Sequence, residues 1–424
     1  MTSSTPRQQS GAIPSLAGAD WLTANATQQL LGILETAGFE ARIVGGAVRN
    51  ALLCRPVSDL DIATTALPDD VMAVAEAAGL SVIPTGLQHG TVIVVIEGEA
   101  FEVTTLREDV ATDGRHADVR FTTAWEADAS RRDFTINALY CDARGTILDP
   151  LDGLKDLAGP EIRFIGNPNQ RILEDYLRVL RFFRFFAEYG KGDPNPDALA
   201  ACVRGRHGLR QLSRERVRQE FLKLLAAPRA AAAIDVMHGY GLLGAFLPVA
   251  PRVQYFARLI GASPEASQLL RLAALSLATC EDAERISKAL KLSNREQAAL
   301  QNIAAVVHAS GQPPTPAVAR QLIYRHGREN FKERVCYLRC SSFRALAEPA
   351  WSAAAALART WSAPPFPLAG KDILALGVEP GPKVGQILKQ AEAEWLASDF
   401  AMTGQQLRAY VQDLVAAQMR DRET

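Results

Sequence analysis

Two acidic side chains at alternate positions are the residues of this chain best suited to chemistry. Asp59 and Asp61 stand in the segment Ser58-Asp-Leu-Asp-Ile62. On a strand, side chains alternate between faces, so the two carboxylates would share one face, opposite Leu60 and Ile62. Adjacent carboxylates repel each other, and a divalent cation between them relieves this repulsion. Oxygen ligands of this kind suit Mg²⁺, which takes one or two protein carboxylates together with substrate phosphates.

A pair of glycines precedes the acidic pair. Gly45 and Gly46 follow the apolar residues Ile43 and Val44, and a short amphipathic segment comes next. Where a strand turns into a helix through glycines, backbone N–H groups and the helix N-terminus can hold an anion. Either feature alone is more often an ordinary turn or a solvated strand end. A phosphate cradle close to a metal-holding pair, however, indicates nucleotide chemistry.

The segment 42–64, RIVGGAVRNALLCRPVSDLDIAT, resembles a known signature. It is similar to GG-x-VRD-x-LLG-R followed by D-x-D, found in class II CCA-adding tRNA nucleotidyltransferases and bacterial poly(A) polymerases of the polymerase-beta-like superfamily. Asn50 stands where this family usually has Asp, and Cys54 where it usually has Gly. The resemblance implies a two-metal nucleotidyltransferase in which Asp59 and Asp61 bind two Mg²⁺ ions.

A second segment, RRDFTINAL at 131–139, resembles the second motif of that family. By itself it could be a helix start with a charged first turn. The resemblance implies that Arg132 contacts the triphosphate and Asp133 the ribose hydroxyl, which suits guanidinium and carboxylate chemistry. Asn137, four positions after Asp133, would share its helical face. The segment 149–156 matches the third motif and is expected to close the catalytic head.

Glu102 is a candidate third carboxylate. The β-branched run 91–96, a turn at 97–99 and the run 101–105 predict an antiparallel hairpin beside the strand of Asp61. Glu102 and Thr104 share one face of its second arm. A solvated hairpin charge is an equally good interpretation from the residues alone, whereas the family's E-V-T-T-x-R motif has an acidic residue here.

The stretch RILEDYLRVLRFFRFF at 171–186 predicts one helix with two stripes. One is apolar (Ile172, Tyr176, Val179, Phe183 and Phe186), and the other is polar (Arg171, Asp175 and Arg178). Asp175 and Arg178 could form a surface ion pair worth about 0.2–0.5 kcal/mol. They could also present an acceptor beside a donor, which fits the edges of cytosine and adenine and mismatches guanine and uracil. The sequence alone does not decide between these, but the family's E-D-x-x-R motif implies base recognition.

The resemblance therefore assigns a full set of site residues. The catalytic residues are Asp59, Asp61 and Glu102, of which Asp59 and Asp61 bind metal. The nucleotide-binding residues are Gly45, Gly46, Arg49, Arg131, Arg132, Asp133, Asn137, Asp175 and Arg178. The basic run 212–225 resembles the family's neck, where Arg214, Arg218 and Lys223 would contact RNA phosphates, although a solvated face is the default interpretation of each.

Composition and charge bound the class of protein. The 424 residues are 48% hydrophobic with a net charge of −1, which predicts a soluble globular protein of several domains. Residues 160–230 nevertheless carry 14 Lys or Arg against 8 Asp or Glu, a local excess of six positive charges that could steer a polyanion. Six scattered cysteines, an N-terminus without an apolar core and no long apolar run favour a reduced, cytoplasmic protein without a membrane span.

The strand and helix patterns predict an α+β fold. The resemblance implies a small N-terminal nucleotidyltransferase head with a mixed or antiparallel sheet, followed by an all-α neck, body and tail. We expect a loose leader at 1–18, the head at 19–160, the neck at 161–235, the body at 236–345 and an RNA-contacting tail at 346–424. Helices are expected at 19–37 and at 69–79, after Pro68. The polar segment 107–120 is expected to be a mobile loop, in which Arg107, Asp113, Arg115 and Val119 match the family's flexible loop.

These expectations lead to one preferred function and three alternatives. The preferred function is template-independent addition of CCA to the 3′ end of tRNA from CTP and ATP, by a monomer or homodimer. A poly(A) polymerase or an enzyme that adds only the terminal A would share the chemistry. A catalytically silent RNA-binding protein would keep the basic neck but has no use for Asp59 and Asp61. A small-molecule nucleotidyltransferase has no use for the long helical region.

Overall fold

The structure, a computed structural model, describes residues 14–113, 116–159, 161–307 and 312–420. The chain divides into two units, the first ending at Phe246 and the second beginning at Leu247. The predicted neck–body boundary at 235/236 falls inside a helix of the first unit, and the predicted body–tail boundary at 345/346 falls inside a helix of the second.

The first unit holds the β-structure that the sequence predicts for the head. Its strands are β1 (Ala41–Val44), β2 (Asp61–Thr64), β3 (Ser81–Ile83), β4 (Thr91–Ile96), β5 (Glu99–Thr105), β6 (Arg107–Asp113), β7 (His116–Phe121), β8 (Tyr140–Cys141) and β9 (Ile147–Leu148). Seven of them form a sheet in the order β3-β4-β5-β2-β1-β8-β9. Only the β2–β5 pair is parallel, so the sheet is mixed. The predicted hairpin of β4 and β5 does lie beside the strand of Asp61.

Residues 107–113 and 116–121 form a two-stranded antiparallel ribbon of β6 and β7, where a mobile loop at 107–120 was expected. The expected lack of strands was wrong because the charged side chains obscure the strand pattern in the sequence, while pairing with a second strand satisfies the backbone N–H and C=O groups. An irregularity lies between Asp109 and Ala111. Arg107 and Val119 fall on these strands and Asp113 ends β6, whereas the expectation for Arg115 lies outside the described residues.

Eleven helices in the described part of the first unit surround the sheet and extend beyond it. They are α1 (Asp20–Thr23), α2 (Asn25–Thr36), α3 (Gly46–Leu52), α4 (Pro68–Ala77), α5 (Trp125–Ser130), α6 (Gly153–Ala158), α7 (Pro168–Glu174), α8 (Leu177–Tyr189), α9 (Pro196–Gly205), α10 (Arg214–Ala226) and α11 (Ala230–Gly239). The predicted helix at 19–37 is interrupted at Ala24, whose backbone is extended. The predicted helix after Pro68 is α4.

The two faces of the large sheet pack against different parts of the unit. Ile43 and Ile62 point to a core with α2 and α4, which also contains Leu30 and Val71. Val44 and Ala63, one position along each strand, point to the other face and pack in a second apolar cluster. Because Asp61 precedes Ala63 by two residues, it lies on this second face, away from α2 and α4. The face of the sheet that carries Asp61, here called the acidic face, is therefore the one that is not covered by α2 and α4.

Aromatic side chains join the sheet-bearing part of the unit to the helices that follow it. Phe134 packs against Phe164 with ring centroids 4.7 Å apart and against Phe185 of α8 at 5.1 Å. Phe182, also on α8, stacks on Phe164 at 5.7 Å. All four rings are buried. Such aromatic pairs typically add about 0.5–1.5 kcal/mol each beyond the area they bury. This cluster fixes α8 relative to the segment around Asp133.

In its described residues the second unit is helical. Its helices are α12 (Val253–Ala262), α13 (Gln268–Ser276), α14 (Glu281–Leu290), α15 (Asn294–Ala304), α16 (Pro316–His326), α17 (Arg328–Arg339), α18 (Phe343–Ala347), α19 (Pro349–Thr360), α20 (Gly370–Leu374), α21 (Pro382–Ala397) and α22 (Gly404–Arg420). One apolar cluster centres on Phe331 and Trp351, and another on Ile387 and Trp395. Among the helices of the described chain, none is sufficiently long and apolar to cross a membrane.

Candidate active site

The glycine turn lies at the edge of the acidic face. Val44, the last residue of β1, pairs with Asp61, the first residue of β2, so the turn that follows Val44 adjoins Asp61. Gly45 has φ 73° and ψ −115°, a conformation that is accessible mainly to glycine. Its N–H donates to the carbonyl of Leu139 at 3.0 Å and is therefore engaged within the protein. A phosphate cradle here would depend on Gly46 and the residues after it.

Two carboxylates meet across the parallel strand pair. Asp61 on β2 is in register with Glu102 on β5, which places both side chains side by side on one face. The predicted alternation on β5 is correct, since Phe101 and Val103 are buried while Glu102 is exposed. Asp59, which was expected on the same strand, lies before β2 begins, and its carboxylate accepts a hydrogen bond from the Ser58 hydroxyl at 3.1 Å.

The electrostatics around Asp61 favour a bound cation. The surrounding protein displaces water and raises the pKa of the Asp61 carboxyl, and the charges of Glu102 and Asp59 raise it further, while Arg132 opposes them. Within the described residues, no side-chain hydrogen bond or ion pair engages the carboxylate of Asp61 or Glu102. Oxygen donors that repel one another and are free of protein partners fit a hard divalent ion.

These carboxylates do not make a complete metal site. Over the described ranges, no group of three or more His, Cys, Asp or Glu side chains is arranged to enclose a metal ion by itself. This suits an ion that is held by one or two carboxylates and completed by substrate phosphates and water.

Arg131 and Arg132 are held by Asp128, a residue that the sequence analysis did not select. One oxygen of Asp128 accepts from Arg131 at 2.8 and 2.5 Å, and the other from Arg132 at 3.1 and 3.0 Å and from the Tyr140 hydroxyl at 2.8 Å. Asp128 is 1% exposed. Burial acts to raise the pKa of its carboxyl, but Arg132 and Arg131 outweigh burial and hold that pKa below its usual range.

Arg132 lies beside the glycine turn. A Cβ atom built at Gly45 would be 3.8 Å from its Nη1 atom, and one at Gly46 would be 3.8 Å from Nη2 of Arg49. The structure thus brings Arg49, Arg132 and the two glycines together next to Asp61. Two guanidinium groups beside a turn without side chains can hold a triphosphate.

Arg49 is buried, at 7% exposure, among neutral partners. Its guanidinium donates to the side-chain oxygens of Asn50 at 3.1 Å and of Asn137, and to the Tyr189 hydroxyl at 2.9 Å. Burial lowers the pKa of Arg49. The amide of Asn50 also donates to the carbonyl of Pro56 at 3.2 Å, so Asn50 connects Arg49 to the segment that leads to Asp59. This contact uses an N–H that the family's usual Asp lacks.

Asp133 and Asn137 contact each other, although not on a helix. The residues follow α5, and 135–137 form a 3-10 turn, so the expected helical face is replaced by a tighter turn. Asn137 donates to one oxygen of Asp133 at 2.9 Å, and Arg181 of α8 donates to the other at 2.7 Å. Burial raises the pKa of the Asp133 carboxyl, but Arg181 and these hydrogen bonds reverse the effect and lower it.

The predicted single helix at 171–186 is two helices. α7 ends at Glu174, Asp175 is extended (φ −154°), and α8 begins at Leu177. Asp175 and Arg178 therefore do not pair along a helix. Arg178 donates to Glu174 and, at 2.7 Å, to the carbonyl of Arg171, whereas the Asp175 carboxylate pairs with Arg216 of α10 at 2.6 Å. Four of the five predicted apolar-stripe residues are buried, and Tyr176 at the break is half-buried.

The basic residues chosen for RNA contact lie on α10. Arg214 and Arg218 are half-buried, and Lys223 is exposed. Glu220 on the same helix is buried and forms ion pairs with Arg184 at 2.7 Å and Arg181 at 3.6 Å. These pairs tie α10 to α8 and hence to Asp133.

Comparison with known proteins identifies the family. Residues 41–163 match the family described as "Poly A polymerase head domain", and residues 193–252 match "Probable RNA and SrmB- binding site of polymerase A". The mouse protein "CCA tRNA nucleotidyltransferase 1, mitochondrial" is 33% identical over 385 residues, which cover 88% of this chain and 86% of the mouse protein. The chain belongs to the CCA tRNA nucleotidyltransferase family.

Bacterial members of this family are also similar. The "CCA-adding enzyme" of Geobacillus stearothermophilus is 43% identical over 230 residues, 52% of this chain and 54% of that protein. The crystal structure of the Bacillus stearothermophilus CCA-adding enzyme in complex with CTP superimposes with a TM-score of 0.73 at 28% identity, covering 93% of this chain and 98% of that one. The chain is a nucleotidyltransferase with the predicted fold, and enzymes of this kind typically act with a divalent metal.

Sequence reasoning about this nucleotidyltransferase missed the residues that hold the others in place. Asp128 carries a local signal, because it stands three and four positions before Arg131 and Arg132 at the end of a helix. Arg216, Arg181 and Glu220 carry none, since their partners lie 36 to 48 positions away along the chain. Tertiary packing brings them together: α8 contacts α10 through Glu220 and the segment after α5 through Asp133, while α10 contacts the turn between α7 and α8 through Asp175.

Proposed function

We propose that this chain adds CCA to the 3′ end of tRNA from CTP and ATP. The oxygen of the terminal 3′ hydroxyl forms a bond to the α-phosphorus of the nucleotide. The bond from that phosphorus to the β-phosphate oxygen breaks, the hydroxyl proton is lost, and pyrophosphate leaves. Membership of the CCA tRNA nucleotidyltransferase family supports this proposal.

One observation carries the proposal more than any other. Asp61 and Glu102 stand in register on a solvent-facing sheet surface, and the glycine turn with Arg132 adjoins the same strand end. A catalytically silent RNA-binding protein has no need for two unpaired carboxylates beside a guanidinium. Their repulsion costs stability, and a bound cation would relieve it, which favours the enzymatic role.

Asp59 and Asp61 are the residues that would hold two Mg²⁺ ions, with Glu102 flanking them. Bound ions of this kind lower the pKa of the attacking hydroxyl and neutralise charge on the leaving phosphates. The oxygen-only donors and the raised pKa of Asp61 support this assignment. Arg132, Arg49 and the turn at Gly45 and Gly46 would hold the triphosphate.

The remaining residues would orient the nucleotide. Arg131 and Arg132, both fixed by Asp128, would contact the nucleotide, while Asp133 and Asn137 would position the ribose. Asp175 would accept from the exocyclic amino group of cytosine or adenine, and Arg178 would donate to the adjacent ring nitrogen. Arg178 pairs with Glu174 and Asp175 with Arg216, so each of the two side chains is oriented by a separate protein partner, which supports this assignment.

The helical part of the chain would hold the RNA. Arg214, Arg218 and Lys223 would contact phosphates without reading sequence. The tail segment 366–388, which has glycines at positions 370, 377, 381 and 385 and resembles the family's tail, would add backbone contacts. The five-part domain division, the cytoplasmic location and a monomeric or homodimeric state belong to the same proposal.

Ordered incorporation tests this function. A tRNA transcript that ends at the discriminator base is incubated with Mg²⁺, labelled CTP and ATP, and the products are sequenced. We expect two C residues and then one A, with pyrophosphate released at each step. If no C is added to this transcript and A is added only to a transcript that already ends in CC, the protein is an A-adding enzyme, and a run of A residues would indicate a poly(A) polymerase.

A further inference from the structure

Helix α3 ends in a turn that leads towards Asp59, and one residue of this turn is in a strained conformation. We propose that Asn50 is a positioning residue, whose side-chain amide holds the turn closed at Cys54 and thereby places Asp59 for metal binding. This inference rests on the proposed function, in which Asp59 is one of the two carboxylates that hold Mg²⁺.

The end of α3 is a Schellman motif, in which two backbone N–H groups donate to carbonyls of the last helical turn. The N–H of Cys54 donates to the carbonyl of Ala51 at 3.0 Å, and that of Arg55 donates to the carbonyl of Asn50 at 2.8 Å. The motif needs a left-handed residue between them, and Cys54 has φ 53°. Because a Cβ atom is unfavourable in this region, the turn is less stable with Cys54 than it would be with glycine.

Asn50 bridges this turn with its side chain. Its Nδ2 atom donates to the carbonyl of Pro56 at 3.2 Å, while its Oδ1 atom accepts from Arg49 and from the Tyr189 hydroxyl, both at 3.1 Å. A guanidinium only donates and a carbonyl only accepts, so these partners fix the orientation of the amide. Asn50 therefore holds the turn twice, through its backbone carbonyl to Arg55 and through its amide to Pro56.

The hydrogen bond at Pro56 lies three positions before Asp59. In the part of the chain that the structure describes, no backbone group of residues 57–59 has a hydrogen-bond partner in the protein. The side chains of Val57 and Leu60 are partly buried against the core of the head. The turn before this segment and β2 after it thus determine where the backbone of Asp59 lies. Opening of the turn at Cys54 would displace Asp59 from Asp61.

The amide matters because the turn is strained. Asn50→Asp keeps the oxygen that faces Arg49, but it replaces the N–H with an oxygen that would meet the carbonyl of Pro56, acceptor against acceptor. With Cys54 in the turn, nothing then offsets the unfavourable φ, and the turn relaxes. Cys54→Gly removes the strain, so the turn stays closed without the amide. The effects of the two residues on metal binding are therefore coupled.

A double-mutant cycle of Asn50→Asp and Cys54→Gly tests this inference. The Mg²⁺ concentration for half-maximal CMP incorporation measures metal binding, and hydrogen exchange of segment 53–60 in EDTA measures opening of the turn in the metal-free protein. We expect Asn50→Asp to raise this Mg²⁺ concentration about tenfold and to accelerate exchange of the Arg55 amide. Cys54→Gly alone should change neither, and the double variant should return both to within about twofold of wild type.

Cys54→Ala is the matched control for Cys54→Gly, because it removes the thiol but keeps the Cβ atom. Combined with Asn50→Asp, it should leave the defect in place. Rescue by Cys54→Ala as complete as by Cys54→Gly would overturn the inference, since the backbone conformation would then not be the cause. If Asn50→Asp does not fold, as judged by its melting transition, the uncharged variant Asn50→Ala is taken through the same cycle.

Two further results would also overturn the inference. A raised Mg²⁺ requirement that is equal with and without Cys54→Gly would mean that the new charge acts directly on Arg49 or the metal. An unchanged requirement in a folded Asn50→Asp protein would mean that Asn50 does not position Asp59. A wild-type protein without Mg²⁺-dependent incorporation would refute the proposed function itself, whereas an active wild type with an uncoupled cycle would refute this inference alone.

Discussion

The carboxylates of Asp61 and Glu102 stand beside each other on paired strands, and Asp59 adds a third charge nearby. Like charges in directly opposed positions of a sheet cost about 0.2–1 kcal/mol. Arg132 offsets part of this cost, but burial, together with the charges of Glu102 and Asp59, still raises the pKa of Asp61. The repulsion at Asp61 thus lowers the stability of the metal-free protein, and a cation bound there would remove this cost.

Replacing Asp61 by Asn should therefore stabilise the metal-free protein by about 0.2–1 kcal/mol at neutral pH, because the repulsion is removed. Since the folded-state pKa of Asp61 is raised, its favourable contribution is complete below the unfolded pKa of about 3.9 and is lost as pH rises through the folded pKa. The gain from the substitution should thus vanish at acid pH. Urea unfolding in EDTA at several pH values measures it.

Glu99→Gln supplies the control for that experiment, because Glu99 is an exposed carboxylate at the start of the same strand as Glu102. It should give no comparable gain. An Asp61→Asn protein that is less stable than wild type at neutral pH would contradict the electrostatic account.

Cys54 is a second residue that lowers the stability of the fold, in this case through its backbone conformation. It has φ 53°, in the left-handed region where a Cβ atom is unfavourable. Cys54→Gly should raise the free energy of unfolding by about 1 kcal/mol, which urea denaturation can measure. Cys54→Ala, which retains the Cβ atom, should not. Equal stability of the two variants would show that the backbone here is not strained.

Among the helices, α5 carries Asp128, whose buried carboxylate forms ion pairs with both Arg131 and Arg132. Removing one partner of a buried ion pair typically costs about 3–5 kcal/mol, and an isosteric amide that keeps some hydrogen bonds should cost less. We expect Asp128→Asn to lower stability by about 2 kcal/mol and to raise KM for CTP, since Arg132 is no longer fixed beside Gly45.

Glu126→Gln removes an exposed charge from the same helix and is the matched control for Asp128→Asn. The melting temperature of Glu126→Gln and its KM for CTP, measured by thermal unfolding and steady-state kinetics, should be close to those of the wild type. An unchanged KM in a folded Asp128→Asn enzyme would show that Arg132 does not depend on Asp128.

The sequence predicts elements well where local pattern and packing agree. The β-branched run at 91–96 is β4, and its neighbour β5 alternates as expected around Glu102. Prediction from the sequence fails where a contact with a residue far along the chain determines the local structure. The apolar period at 171–186 continues through Tyr176, but the helix breaks there, where Tyr176 packs on Gly208, 32 positions later. For the same reason the partner of Asp175 proved to be Arg216 rather than Arg178.

In the whole molecule, charge is unevenly distributed along a chain whose net charge is close to zero. The net charge is −1, yet residues 160–230 carry an excess of six positive charges. Such a region can attract a polyanion without making the whole protein basic. Because the proposed RNA contacts lie on the helices and the proposed metal-binding carboxylates on or beside the sheet, we expect RNA binding and nucleotidyl transfer to be separable.

Parallel measurements of transfer and tRNA binding in Asp61→Ala decide whether this carboxylate holds the catalytic cation. Labelled CMP incorporation into a tRNA lacking CCA is measured with Mg²⁺, and tRNA affinity is measured by filter binding. We expect incorporation to fall to background while tRNA affinity stays within about twofold of wild type. Undiminished incorporation by Asp61→Ala would contradict the claim that this carboxylate holds the catalytic cation.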